Sequence, residues 1–125
     1  YLLEKKILKE KYTQLCNKLY EIGNLNGVLS LLDWDEKTII PSEGAKAREK
    51  QKEILSQLIF EKSTSVELKK LIDWLSFPKY FNMLPTDFDK ANVREAEYNY
   101  TRVSSIPSNL INQIQIVEDI FSLEF

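Results

Sequence analysis

Histidine is absent from all 125 residues of the chain. That removes the usual general base, the Ser/Cys–His pairing and the H-E-x-x-H zinc motif together. The single cysteine, Cys16, can form no internal disulfide and cannot build a structural zinc site. It falls among apolar residues at helical spacing and reads as a small core residue. No glycine-rich phosphate loop is present. The chemistry that remains is acidic, and its densest cluster is Asp33-Trp34-Asp35-Glu36. Asp33 and Glu36 stand three apart, so one helix face could offer both to a hard cation with water completing the shell. A glycosidase-like pair would need two carboxyls whose pKa values are driven apart, and nothing in the sequence does that. Carboxylates at a helix end just before Pro41 more ordinarily stay solvated or pair with a nearby Arg or Lys, and that is the favoured reading. Trp34 reads as a core anchor rather than a ligand-stacking platform. Tyr98, Tyr100 and Arg102 read as one buried aromatic with two exposed neighbours.

The elements that must carry these residues are helical. From about residue 2 to 32, apolar residues recur at Leu8, Tyr12, Leu15, Leu19, Ile22, Leu25, Leu29 and Leu32, in steps of three and four. That spacing predicts one buried helical stripe. Gly23 and Gly27, one turn apart, each cost about 1 kcal/mol relative to Ala in a helix interior. They leave two readings open: a close approach by another helix, or a break at Gly23-Asn24 giving two shorter helices. After Pro41, Ser42 can cap a helix to about residue 62, with Ala47, Ile54, Leu55, Leu58 and Ile59 inward. Thr64 and Glu67 have capping-box spacing. They precede a short helix with Leu68, Leu71, Ile72 and Leu75 on one side, which Pro78 ends. Residues 77–85 form an aromatic connector expected to pack on the core. Thr86 caps a helix to about residue 103 with Val93, Ala96, Tyr100 and Val103 on one face. Pro107 starts a last helix whose face is Leu110, Ile114, Val117 and Phe121. No run alternates with period two. The expected fold is all-α, a single domain over 1–125, built as an antiparallel bundle of five or six helices with short connections.

Composition excludes several function classes. Hydrophobic residues make up 43% and charged residues 29%, a globular balance. Seventeen basic against nineteen acidic residues give a net charge of −2, without the basic excess that phosphate backbones demand. Lys5, Lys6, Lys9 and Lys11 interleave with Glu4 and Glu10 as a solvated helix face. No nucleic-acid partner is expected. No apolar run is long enough for a membrane span, and no signal-peptide pattern opens the chain. With its lone cysteine, the chain reads as cytoplasmic. It opens on Tyr1 rather than Met, so the expectation is that the true start, and equally the true end, lie beyond it.

Three blocks of the sequence resemble the thermostable carboxypeptidase Taq family. Residues 29–41, with Leu31, Leu32, Trp34, Asp35, Thr38 and Pro41, are similar to its A-L-L-x-W-D-Q-E-T-x-M-P hallmark. Residues 44–51, with Arg48 and Gln51, come next and resemble the family's Gly- and Ala-rich stretch followed by A-x-R-x-x-Q. Asn92, Arg94 and Glu95, then Tyr100, Arg102, Pro107 and Leu110, resemble N-x-R-E … Y-x-R … P-x-x-L. Order and spacing agree across about residues 12–111. Departures are Glu36 and Lys37 for the family's Gln and Glu, Phe60 where many members have His, and a divergent tail after about Asn112.

The resemblance implies an all-helical zinc peptidase fold with a deep substrate channel, whose N-terminal helices form part of the wall or lid. The zinc ligands and the substrate-carboxylate grip lie much later in the family, so no catalytic, cofactor-binding or metal residue carries over. Zinc is expected only in a full-length member. Trp34, Asp35, Thr38, Pro41, Arg48, Asn92 and Arg94 carry over as fold-defining positions. Arg48 and Arg94 are expected to pair with the acidic 33–36 segment and lock helices together. The function expected is a non-catalytic N-terminal part of such an enzyme, partnered by the enzyme's remainder. The alternative is a free-standing helical module that homodimerises, for which the apolar tail from Ile111 to Phe125 argues. A small carboxylate-metal helical enzyme is the third possibility.

Overall fold

The computed structural model describes residues 1–38 and 42–106. Of Glu36, Thr38, Ser42, Glu43 and Ala45 it describes the backbone alone. The expected last helix from Pro107, and the turn at Pro41, lie outside the described residues. Those residues are all-helical, in the order α1 (Leu2–Thr38), α2 (Ser42–Ser63), α3 (Val66–Ser76), α4 (Pro78–Phe81) and α5 (Asp87–Ser104), with α4 a single turn.

Helix α1 runs unbroken through Gly23 and Gly27, so of the two readings left open the break at Gly23-Asn24 does not occur. Tertiary packing along its length offsets the propensity cost of the two glycines. Nothing approaches within 4 Å of where a Cβ on Gly27 would sit, so no described helix uses it for close approach. The stripe that α1 buries is seven-residue periodic. Leu8, Leu15, Ile22 and Leu29 are buried, and the positions four later are Tyr12, Leu19, Asn26 and Asp33. This is the spacing of a helix that keeps one seam against its partners over many turns.

Helices α2 and α3 run back along α1 one after the other, not as a hairpin. Side-chain pairs fix the register: Asp33 with Lys52, Glu21 with Lys62, Lys18 with Glu67 and Glu4 with Lys79. As the α1 number falls, the partner's number rises. Helix α5 then runs against α3. Arg94 sits 4.9 Å over the Phe81 ring, and Tyr100 Oη donates to the Thr64 carbonyl at 3.2 Å.

Local signals explain the ends. Ser65, not Thr64, caps α3, accepting from the Leu68 amide at 3.2 Å; Thr64 Oγ1 instead donates back to the Phe60 carbonyl. Thr86 caps α5 as its spacing predicts, accepting from the Asp89 amide at 3.1 Å. Pro78 closes α3 and opens α4, where a missing amide costs nothing. The aromatic connector packs as expected. Trp74 and Tyr80 stack with centroids 3.9 Å apart, and Leu84 is buried, although Phe77 remains exposed.

Candidate functional site

Besides the exposed ion pairs along α1, two places among the described residues bring polar side chains of different helices together in part-buried contacts. The first joins the end of α1 to α2. Asp33 stands where the α1 seam has turned from apolar to charged. Its Oδ1 accepts from Lys52 Nζ at 2.5 Å, and its Oδ2 pairs with Lys37 Nζ at 2.9 Å. Burial pushes the Asp33 carboxyl upward, but the hydrogen bonds from Lys52 and Lys37, with their charges, outweigh it and hold the group below its ordinary value. One turn before Lys52, Arg48 Nη2 pairs with Asp35 Oδ2 at 3.0 Å. Its other terminal nitrogen, Nη1, donates to Gln51.

This cluster works as a helix clasp. Arg48 locks α2 to α1 as the sequence suggests. Arg94 does not join it: it lies on α5 over Phe81. The reason is distance along the rod. Helix α5 meets α1 at Tyr12, and Asp33 is about 30 Å further along at 1.5 Å per residue. Thr38's side chain and Pro41 lie outside the described residues. Trp34 is 55% exposed, which overturns the core-anchor reading: its place on α1 turns it away from the seam that carries Leu29 and Asp33.

Lys52, only 5% exposed, is a member of the cluster that the sequence reading does not single out. It belongs to a larger surprise in α2. The residues this helix buries are Lys52, Ser56, Ile59 and Ser63, a stripe at helical spacing that is polar at three of its four positions. Ala47, Ile54 and Leu58, expected inward, are exposed instead, and Leu55 is half-buried. The one available signal was Arg48 and Lys52, four apart, opposite an acidic helix end. The apolar period placed Ile59 correctly and Ala47, Ile54 and Leu58 not.

The second place lies between α1 and α5. Asn92 Nδ2 donates to Tyr12 Oη at 3.0 Å. Burial raises the Tyr12 hydroxyl's pKa well above its usual value, and the Asn92 hydrogen bond only partly opposes it. Beyond this bond runs a groove of about 460 Å³, lined mainly by apolar side chains and by Cys16. Cys16 is half-buried at the groove rather than in the core. Tyr98 is exposed, as expected, while Tyr100 is half-buried rather than buried and Arg102 is half-buried with its guanidinium 5.6 Å from the Tyr98 ring.

Neither place fits a zinc ion. The chain has no imidazole and one thiol, and no group of three or more His, Cys, Asp or Glu gathers among the described residues. Asp33, the best-placed carboxylate, has both oxygens engaged by ammonium groups. The same pairing argues against a hard cation at the 33–36 segment. No described helix is long and apolar enough to cross a membrane.

A family model described as carboxypeptidase Taq (M32) metallopeptidase matches residues 14–120. No curated protein and no solved structure matches the chain.

Proposed function

The chain belongs to the carboxypeptidase Taq (M32) metallopeptidase family, and from that premise we propose that it is the N-terminal helical part of such an enzyme, a channel wall, lid or subunit contact that does not catalyse alone. The observation that carries this reading is the orientation of α2. Helix α2 buries Ile59 together with Lys52, Ser56 and Ser63, and leaves Ile54 and Leu58 exposed on its outer side. The neighbouring end of α1 exposes Val28, Leu31 and Trp34. Apolar surface of this kind marks a place where more protein seats. The enzyme's remainder, which would supply the zinc ligands, is the partner proposed for it. A cytoplasmic setting suits its lone thiol.

Intact mass from the natural source tests the proposal. A peptidase well above the 14.7 kDa of this chain supports it. Zinc-loaded, homogeneous 125-residue protein should release no C-terminal residues from peptides, and measured release would overturn the non-catalytic role. A second reading uses the same outward surface for a homodimer. The exposed Val28, Leu31 and Trp34 on α1 are the surface it would use. Light scattering decides: a monomer at high concentration removes that reading.

A further inference from the structure

Helices α2 and α3 are held in place by different means. Helix α3 has 11 residues and buries Leu68, Leu71, Ile72 and Leu75. Helix α2 has 22 residues, and among its described side chains Ile59 is the one hydrophobic group fully buried. Leu55 and Phe60 pack on the core only in part. The other residues α2 buries are Lys52, Ser56 and Ser63. The hydroxyls of Ser56 and Ser63 lie out of reach of solvent and have no hydrogen-bond partner. Seating α2 on α1 therefore strips both of water without replacing it, which works against the closed position. Charge supplies much of what remains, through Asp33–Lys52, Asp35–Arg48 and Glu21–Lys62. Desolvation cancels much of the attraction in a buried pair, and a solvated pair contributes little. The junction with α3 is better fixed. Tyr100 Oη of α5 donates to the Thr64 carbonyl at 3.2 Å, and Ser65 caps α3 by accepting from the Leu68 amide.

We propose that α2 is a strap that opens as a unit: it comes off α1 at the pinned Thr64-Ser65 junction while α3, α5 and the part of α1 from Leu8 to Leu19 stay folded. Few buried apolar contacts and buried unpaired polar groups are the marks of an element that opens well below the energy of global unfolding. Once lifted, α2 loses the packing from which most helical stability in proteins comes, so opening also frees its backbone amides. Opening uncovers the α1 seam from Asn26 through Leu29 to Asp33, all of them buried or half-buried when the strap is closed. That half of α1 thus has two states, covered by α2 or bare. The inference is independent of the family's enzymatic role.

Native-state hydrogen exchange of the full 125-residue chain tests it, read by mass spectrometry on peptides from each helix. After correction for intrinsic rates, amides of residues 50–60 in α2 should exchange roughly tenfold faster or more than those of residues 70–75 in α3 and 92–102 in α5. Equal protection in the three helices overturns the proposal. Lys52→Ala, which removes one cation from Asp33, should speed α2 exchange by roughly a further tenfold and leave α3 and α5 unchanged. Loss of protection shared by all three helices, up to complete unfolding, would show one cooperative unit and overturn it. Ser56→Ala acts in the opposite direction. Removing the unpaired hydroxyl should slow α2 exchange several-fold, about the effect of one relieved polar group, with α3 and α5 again unchanged. Unchanged or faster exchange of α2 in that variant would overturn the account of why the strap opens.

Discussion

The two ends of α1 live in opposite environments. Near its start, the seam positions Leu8, Tyr12, Leu15 and Leu19 meet Leu68, Ile72 and Leu75 of α3, with Val93 and Ala96 of α5 in the same core. Near its other end, the seam passes through buried Asn26 to Asp33 and meets Lys52 and Ser56 of α2. The first region is held by apolar burial, worth about 1.5–3 kcal/mol for each fully buried large aliphatic side chain. The second trades some of that burial for ion pairs, whose desolvation cancels much of their attraction. A fold can thus carry a conventional core at one end and, at the other, two helices whose apolar residues Leu31, Trp34, Ile54 and Leu58 look outward. The difference separates a part held by apolar burial from a part that leaves several large apolar side chains exposed.

Substitutions test that division. Leu15→Ala, at a fully buried seam position of the first region, should cost about 3–4 kcal/mol in denaturant unfolding. A loss under about 1 kcal/mol would mean the core is not concentrated there. Lys52→Ala in the second region should cost about 3 kcal/mol, because it leaves Asp33 partly buried with one cation fewer. Replacing both partners, Asp33→Leu with Lys52→Met, should recover most of that loss. The effect carries a pH signature. The folded-state pKa of Asp33 is lowered from 3.8, so its contribution is fully present above about pH 5 and is lost as pH falls through the lowered value. The gap between wild type and Lys52→Ala should therefore narrow below about pH 4 in thermal melts, and a gap that stays constant would contradict the clasp.

Smaller effects sharpen the same contrast. Gly27→Ala should stabilise by about 1 kcal/mol, since the new methyl enters open space on a helix interior. Destabilisation in a dimeric sample would reveal a partner packed on that face. Ile54→Ser should change stability by no more than about 0.5 kcal/mol, because Ile54 is 63% exposed. A large loss would turn α2 around and remove the outward-facing surface.

Much of the first region was legible. The steps of three and four from Leu8 to Leu29, the Thr86 cap and the face of Leu68, Leu71, Ile72 and Leu75 all reappear as buried or capping groups. Each depends on contacts within a few residues or on a strong apolar period. The Asp35–Arg48 pair was also legible, because the acidic end of α1 and the Arg of α2 stand close in sequence with opposite charges. Lys52 was not, because its burial depends on Asp33 arriving from another helix. Nor was the exposure of Trp34, Ile54 and Leu58. An apolar moment tells which residues share a face and cannot tell which way that face points when the rest of the contacts lie elsewhere.

By itself, then, the sequence determined that the chain is helical and has no imidazole with which to hold zinc, since both derive from residue type and short-range spacing. Tertiary structure decided the rest. It joined α2 to α1 through Asp33–Lys52 and Asp35–Arg48, sent Arg94 to Phe81 instead, and buried Ile59 of α2 while leaving Ile54 and Leu58 exposed. Those outcomes depend on where separate helices meet along a rod, a geometry that no local pattern of side chains encodes.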